Sequence, residues 1–213
     1  DLMNDLMSLG IHRLWKSAFI DFLDPHPQMK LIDVGGGTGD IAFKFLNSGG
    51  GHVTVCDINQ EMLNIGEDRA INKGLITGID WINGDAEKLP MLGNTFDAYT
   101  TAFCIRNVTN IESALSEAHR VLKPGGHFLC LEFSQVVIPI LKKIYDSYSL
   151  NVLPLLGKIV AGDEDSYRYL VESIRRFPDQ GKLTTMITDA GLKQAKYQNL
   201  SGGIATIHSA WRI

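Results

Sequence analysis

Cysteine is scarce in this chain and badly spaced for metal or disulfide chemistry. Cys56, Cys104 and Cys130 are three in number, isolated, and none belongs to a CxxC pair. His52 stands near Cys56. The pattern argues against a disulfide framework and against a zinc site, so no metal is expected. Free buried thiols in a reducing compartment are the simpler reading. Long apolar runs are missing as well: nothing approaches the roughly 18 residues that a membrane-spanning helix needs. Positive charge is not in excess. Lys and Arg number 20 against 24 Asp and Glu, a net charge of −4, and the footprint of a nucleic-acid binder is absent. Repeats and low-complexity linkers are lacking too.

What remains is enough for a substantial core: 213 residues, 45% of them hydrophobic, suited to one large α/β domain or two small ones. Asp1 already stands inside a patterned segment, which fits a chain trimmed at its start or one that has lost a targeting peptide. Residues 1–23 have helical spacing, with Leu14, Trp15, Ala18, Phe19, Phe22 and Leu23 on one side. Asp24-Pro25-His26-Pro27 ends that element.

Strands are then expected at 31–34, 53–56, 79–82, 96–103 and 127–133, with helices near 41–46, 61–73 and 111–122 between them. This alternation implies βαβ units and a mostly parallel sheet. Residues 138–191 interrupt the rhythm and read as a helical cover rich in Tyr and Leu. Residues 193–199 and 205–213 close the chain as an antiparallel hairpin around Gly202-Gly203. One domain over 1–213 is the economical organisation.

Three features fall at three successive strand ends. The first is the loop Asp33-Val34-Gly35-Gly36-Gly37-Thr38-Gly39-Asp40, the second Asp57, the third Asp85-Ala86. Glycine has no Cβ to hold a ligand away, and ligands of α/β sheets bind past the carboxyl ends of strands. A dinucleotide loop wants a third glycine where this chain has Asp40, whose carboxylate would repel a diphosphate; NAD is disfavoured. S-adenosylmethionine has no phosphate. Asp57 suits its ribose diol and Asp85 its adenine amine. The loop amides and Thr38 suit its carboxylate, and Asp33 or Asp40 its ammonium. Gly35, Gly37, Gly39, Ile58, Met62 and Ala86 complete the expected cofactor set. Taken singly, Asp57 followed by Glu61 reads as a helix cap, and Asp85 followed by Glu87 as a turn cap.

At this point the chain resembles the class I S-adenosylmethionine-dependent methyltransferases, and more narrowly the UbiE/Coq5 family of quinone C-methyltransferases. The likeness runs through residues 3–16, the glycine loop, Ile105-Arg106-Asn107-Val108-Thr109 and the segment 119–126. It continues through Leu131-Glu132-Phe133-Ser134 and Asp165-Ser166-Tyr167-Arg168-Tyr169-Leu170. It implies a Rossmann-like, seven-stranded, mostly parallel sheet with a helical cover and a C-terminal antiparallel hairpin. It implies methylation of a ring carbon of a 2-methoxy-6-polyprenyl-1,4-benzoquinol in ubiquinone biosynthesis. A demethylmenaquinol substrate is the near alternative, and a largely structural subunit of a quinone-synthesis complex the distant one.

By the same resemblance, Arg106 and Asn107 lie on the substrate side, the arginine assisting catalysis through water. Two departures touch the pocket: Cys104 where glycine is usual, and Ala102 where some bacterial members carry serine. The wording of 128–135 is nearer to mitochondrial members, implying the matrix face of the inner membrane rather than a bacterial cytoplasm. Implied partners are the polyprenyl quinol, a membrane surface, proteins of a quinone-synthesis complex and a second copy of the chain. The apolar run 138–160 is expected to meet the membrane or the substrate tail, and the N-terminal helical segment 1–23, through Leu2, Met3, Leu6, Met7 and Leu9, to form a lid. His208 is a conventional base by residue type, but a strand-end position in the hairpin is the preferred reading.

Overall fold

A computed structural model describes residues 10–136 and 164–213, with side chains from 169 onward in the second stretch. In chain order the elements are α1 (His12–Leu23), β1 (Lys30–Val34), α2 (Asp40–Asn47), β2 (His52–Asp57), α3 (Gln60–Asn72), β3 (Ile79–Asn83) and β4 (Phe96–Ala102). A 3₁₀ turn (Ile105–Asn107) follows, then α4 (Ile111–Val121), β5 (Leu122–Phe133), α5 (Glu164–Arg176), α6 (Gln180–Asp189), β6 (Lys193–Leu200) and β7 (Ala205–Trp211). The seven strands form one sheet in the order β3-β2-β1-β4-β5-β7-β6. β1 to β5 are parallel, and β7 runs antiparallel to both β5 and β6.

The alternation of the central strands explains the two apolar layers. Leu31 turns to a layer holding Trp15, Phe19, Phe45, Val53 and Phe133, covered by α1, α2 and α5. Ile32 and Val34 turn to the opposite layer with Leu115, Phe128, Leu183 and Ile187, covered by α4 and α6. Strands buried on both faces read as continuous apolar runs, which is why 31–34 is legible as a parallel strand. Helix α4 shows the complementary rule: Ala114, Leu115, Ala118 and Val121 make its buried stripe, and the Asn110 side chain caps its start by accepting from the Ser113 N–H at 2.9 Å.

Two expectations need correction, and one alternative reading falls. Helix α6 belongs to the sheet and not to an insertion: Leu183 and Ile187 are fully buried beneath it. β5 starts at Leu122 and not after Gly126, because Leu122 pairs with Phe96 and the Gly125 N–H bonds the Arg212 carbonyl. The cap of α3 is Asn59 and not Asp57; the Asn59 side chain accepts from the N–H groups of Glu61 and Met62. Residues 1–9 of the expected lid (1–23) and the apolar run 138–160 lie outside the described residues; the rest of that segment, α1, packs Trp15, Phe19 and Ile20 into the core.

Candidate functional site

The carboxyl ends of β1 to β4 surround a cavity of about 170 Å³. Gly35 enters its wall after β1, Asp57 and Ile58 after β2, Asp85 and Ala86 after β3, and Cys104 and Asn107 after β4. The structure thus brings together six of the residues singled out above. Between β3 and β4 the connection 84–95 carries no helix, which leaves this corner open.

Asp57 organises the floor. Freed of capping duty, its Oδ2 accepts the Gly37 N–H at 2.9 Å and its Oδ1 accepts the Asn59 N–H at 2.9 Å. Both oxygens keep lone pairs for a ligand. Asp85 lines the cavity, and its Oδ1 makes the turn-cap contact, accepting the Glu87 N–H at 2.9 Å. Gly35 has φ +67°, and a Cβ there would lie 2.0 Å from Cys104 Sγ. That cysteine fills the space a side chain at 35 would need. Gly39 has φ +84° and would meet Trp81 at 2.6 Å. The ring of Trp81 explains this glycine, with no need of a phosphate. Met62 lies beside Gly37, its Cε 3.5 Å from where a Cβ would stand.

Other residues are held away from the cavity. Thr38 gives its carbonyl to Arg69 Nη1 at 3.0 Å, and its hydroxyl is bound by the same nitrogen. Asp40 is paired with Lys16 at 2.8 Å and Arg69 at 2.7 Å. Burial alone would raise its carboxyl, but the Lys16 ammonium and the Arg69 guanidinium outweigh it and hold the group at about 2. Thr38 and Asp40 therefore fasten the loop to α1 and α3 and do not face the cavity. Asp33 is fully buried beneath the loop. Its Oδ1 accepts from Thr100 Oγ1 at 2.8 Å, while Oδ2 has no partner among the described residues. Burial pushes this carboxyl up to about 7, against the Thr100 hydrogen bond and the Lys16 charge.

The Asp33 shift has a direct consequence. Its folded value lies above the ordinary 3.8, so the native protein binds more protons than the unfolded chain between about pH 4 and 7. Stability contributed by this group therefore falls as pH rises through that window. Asp33→Asn is expected to flatten the Tm profile between pH 4 and 7, measured without ligand. An unchanged slope would refute the assignment.

Arg106 turns into the gap between β4 and β5. Its Nη1 donates to the Phe103 carbonyl at 2.8 Å and to Glu132 Oε1 at 2.6 Å, and its guanidinium lies over the Phe133 ring at 5.6 Å. The side chains of this pair are only 7% and 1% exposed. Glu132 was missed as a site residue. The signal was available: a carboxylate at a buried register of an otherwise apolar strand, within Leu131-Glu132-Phe133-Ser134. Burial raises its carboxyl, with Arg106 and the Phe133 N–H opposing. His208 stands in the middle of β7 and not at a strand end; it is buried under α6 and its Nε2 donates to the Gln180 carbonyl at 3.1 Å. Cys56, Cys104 and Cys130 are free. Among the described residues no cluster of His, Cys, Asp and Glu is arranged to hold a metal ion.

The chain is similar to known proteins over its whole length. A Dictyostelium discoideum protein named mitochondrial 2-methoxy-6-polyprenyl-1,4-benzoquinol methylase is 53% identical, matching 100% of this chain and 77% of its own length. A ubiquinone/menaquinone biosynthesis C-methyltransferase UbiE from Brucella abortus (strain S19) is 54% identical, over 100% of this chain and 81% of its own. A solved SAM-dependent methyltransferase from Aquifex aeolicus shares the fold with a TM-score of 0.67 at 17% identity, covering 99% of this chain and 93% of that one. The description "ubiE/COQ5 methyltransferase family" matches residues 1–212, and the chain belongs to that family.

Proposed function

We propose that this chain methylates a ring carbon of a 2-methoxy-6-polyprenyl-1,4-benzoquinol, with S-adenosylmethionine as donor, in ubiquinone biosynthesis. The observation that carries the reading is the convergence of Gly35, Asp57 and Asp85 on one cavity, in a chain whose Dictyostelium relative bears that name. The residues fit the donor. Asp57 offers a carboxylate to the ribose diol, and Asp85 one to the adenine amine. The unpartnered Oδ2 of Asp33, just beneath Gly36, suits the ammonium. The first turn of α2 has unsatisfied amides for the methionyl carboxylate. Asp40 at that helix start does not oppose them, because Lys16 and Arg69 balance its charge.

When bound, S-adenosylmethionine supplies an electrophilic methyl on a sulfonium. The protein must then make a ring carbon nucleophilic, which requires a quinol hydroxyl to lose its proton. Arg106 is a poor base, since a guanidinium stays protonated in proteins. Its charge favours the phenolate instead. Asn107, on the cavity wall beside it, is placed to orient the hydroxyl or a water. Phe103, Phe133 and Trp15 form an aromatic wall behind Arg106, with ring centroids 4.8 to 6.5 Å apart. Such a wall keeps water from charges that collapse in the transition state.

The name of the Brucella relative favours demethylmenaquinol as a second substrate. Side-by-side turnover of short-chain forms of both quinols tests the choice. The expected result is turnover of the methoxybenzoquinol at several times the kcat/KM of the naphthoquinol; preference for the naphthoquinol would reverse the reading. We place the protein on the matrix face of the mitochondrial inner membrane, held peripherally, with a second copy and proteins of a quinone-synthesis complex as neighbours. The mitochondrial name of the Dictyostelium relative and the apolar composition of 138–160 support this. Flotation with quinone-bearing vesicles is expected; protein left at the bottom of the gradient would count against it.

A further inference from the structure

Two buried polar atoms stand out because the Arg106–Glu132 pair leaves them unused. Arg106 Nε and Glu132 Oε2 both lie out of solvent, with no hydrogen-bond partner among the described residues. Buried polar groups in native proteins are normally satisfied, so two on one ion pair call for an explanation. Stability does not provide it: buried pairs are often replaced by apolar residues at no loss. The two atoms are a donor and an acceptor. A phenol hydroxyl needs that combination, since it donates one hydrogen bond and accepts another. Neither side chain lines the cavity, but their neighbours do: Asn107, in the same 3₁₀ turn as Arg106, forms part of the wall, and so does Cys104, which feels the charges of both Glu132 and Arg106.

We propose that Glu132 is the proton acceptor for the quinol hydroxyl, with Arg106 Nε–H holding the oxygen. In the step, the quinol O–H bond breaks and a Glu132 Oε2–H bond forms. The electron pair stays on the ring oxygen, next to the Arg106 charge, and conjugation carries density to the ring carbon. Once that carbon has gained its methyl, its own proton leaves to solvent, and the ring oxygen takes back the proton from Glu132. Each turnover releases one proton and restores the carboxylate. The raised carboxyl makes Glu132 a stronger base than an ordinary glutamate. Among the described residues, the titratable and charged groups that face it are Arg106, Cys104 and Cys130. Burial pushes both thiols well up, so they stay neutral while Glu132 titrates.

This inference rests on the proposed quinol methylation. Its test is Glu132→Gln, assayed with a short-chain methoxybenzoquinol and with a ring-fluorinated analogue whose hydroxyl is more acidic. Calorimetric binding of S-adenosylhomocysteine is measured on the same samples. The expected result is kcat reduced about 100-fold or more on the ordinary quinol, KM and S-adenosylhomocysteine affinity within threefold of the wild type, and much of the loss recovered with the fluorinated quinol. The acid limb of the wild-type kcat profile should also vanish in the variant. If Glu132→Gln does not fold, Glu132→Asp replaces it, with about a tenfold loss expected and the same recovery by the acidic quinol. A kcat within threefold of wild type, or a loss that ring fluorination does not relieve, would overturn the proposal. Failure of the wild type itself on the ordinary quinol would instead sink the parent reading.

Discussion

Asp57→Ala is expected to weaken S-adenosylhomocysteine binding by about 100-fold, read by calorimetry. The carboxylate has two tasks. It ties the glycine loop to β2 by accepting the Gly37 N–H, and it shapes the turn into α3 by accepting the Asn59 N–H. It also offers its remaining lone pairs to a ribose diol. Charge-assisted hydrogen bonds contribute about 1.5–3 kcal/mol each, so losing two is worth about 3 kcal/mol or more, and 1.4 kcal/mol is tenfold in affinity. Asp57→Asn keeps the shape without the charge and is expected to fall between wild type and Ala. A tight complex with Asp57→Ala, within threefold of wild type, would mean that the ligand lies elsewhere.

Arg106→Ala carries the largest expected effect on folding. It removes the guanidinium and leaves Glu132, 1% exposed, without a counter-charge. Breaking a buried pair on one side typically costs about 3–5 kcal/mol, which for a chain of this size is about 10 °C in Tm. The pH dependence follows from the direction of the Glu132 shift. Its folded value is already above the ordinary one, and without Arg106 it rises further. Stability is then present at low pH and is lost as pH rises through that raised value, so the deficit of Arg106→Ala should be larger at pH 8 than at pH 5. Removing both partners, as Arg106→Met with Glu132→Leu, should recover most of the Tm while turnover stays lost. A single variant as stable as wild type at pH 8 would show that the pair is not buried as described.

These two residues mark where sequence reading succeeds and where it stops. Asp57 is legible because strand ends and glycine turns are local signals, set by alternation and by residues a few positions apart. Its competing reading as a helix cap could be decided only in three dimensions, where Asn59 takes that place. Thr38 and Arg106 show the opposite case. The direction of each side chain is set by a partner far along the chain, Arg69 for the first and Glu132 for the second. Position alone suggested that Thr38 faced the ligand, and it could not show that Arg106 is held by Glu132. Helix α6 failed for a related reason: its short apolar stripe, Leu183 and Ile187, is indistinguishable from a cover helix until β6 and β7 show which layer needs filling. The glycine loop was read correctly as a bare backbone, but the reason at Gly39 is Trp81 and the reason at Gly35 is Cys104. The departure at Cys104 is thereby absorbed: the sulfur occupies space that Gly35 leaves open.

The central claim is methyl transfer to a quinol carbon at the cavity formed by Asp57, Asp85 and the glycine loop. Its most direct test is incubation of the purified chain with trideuteromethyl S-adenosylmethionine and a short-chain methoxybenzoquinol kept reduced, with the product read by mass spectrometry. One trideuteromethyl group is expected on a ring carbon, and far less label when Asp57→Ala replaces the wild type at a donor concentration that just saturates the wild type. Label on a quinol oxygen, or no label while S-adenosylhomocysteine binds the wild type tightly, would contradict it.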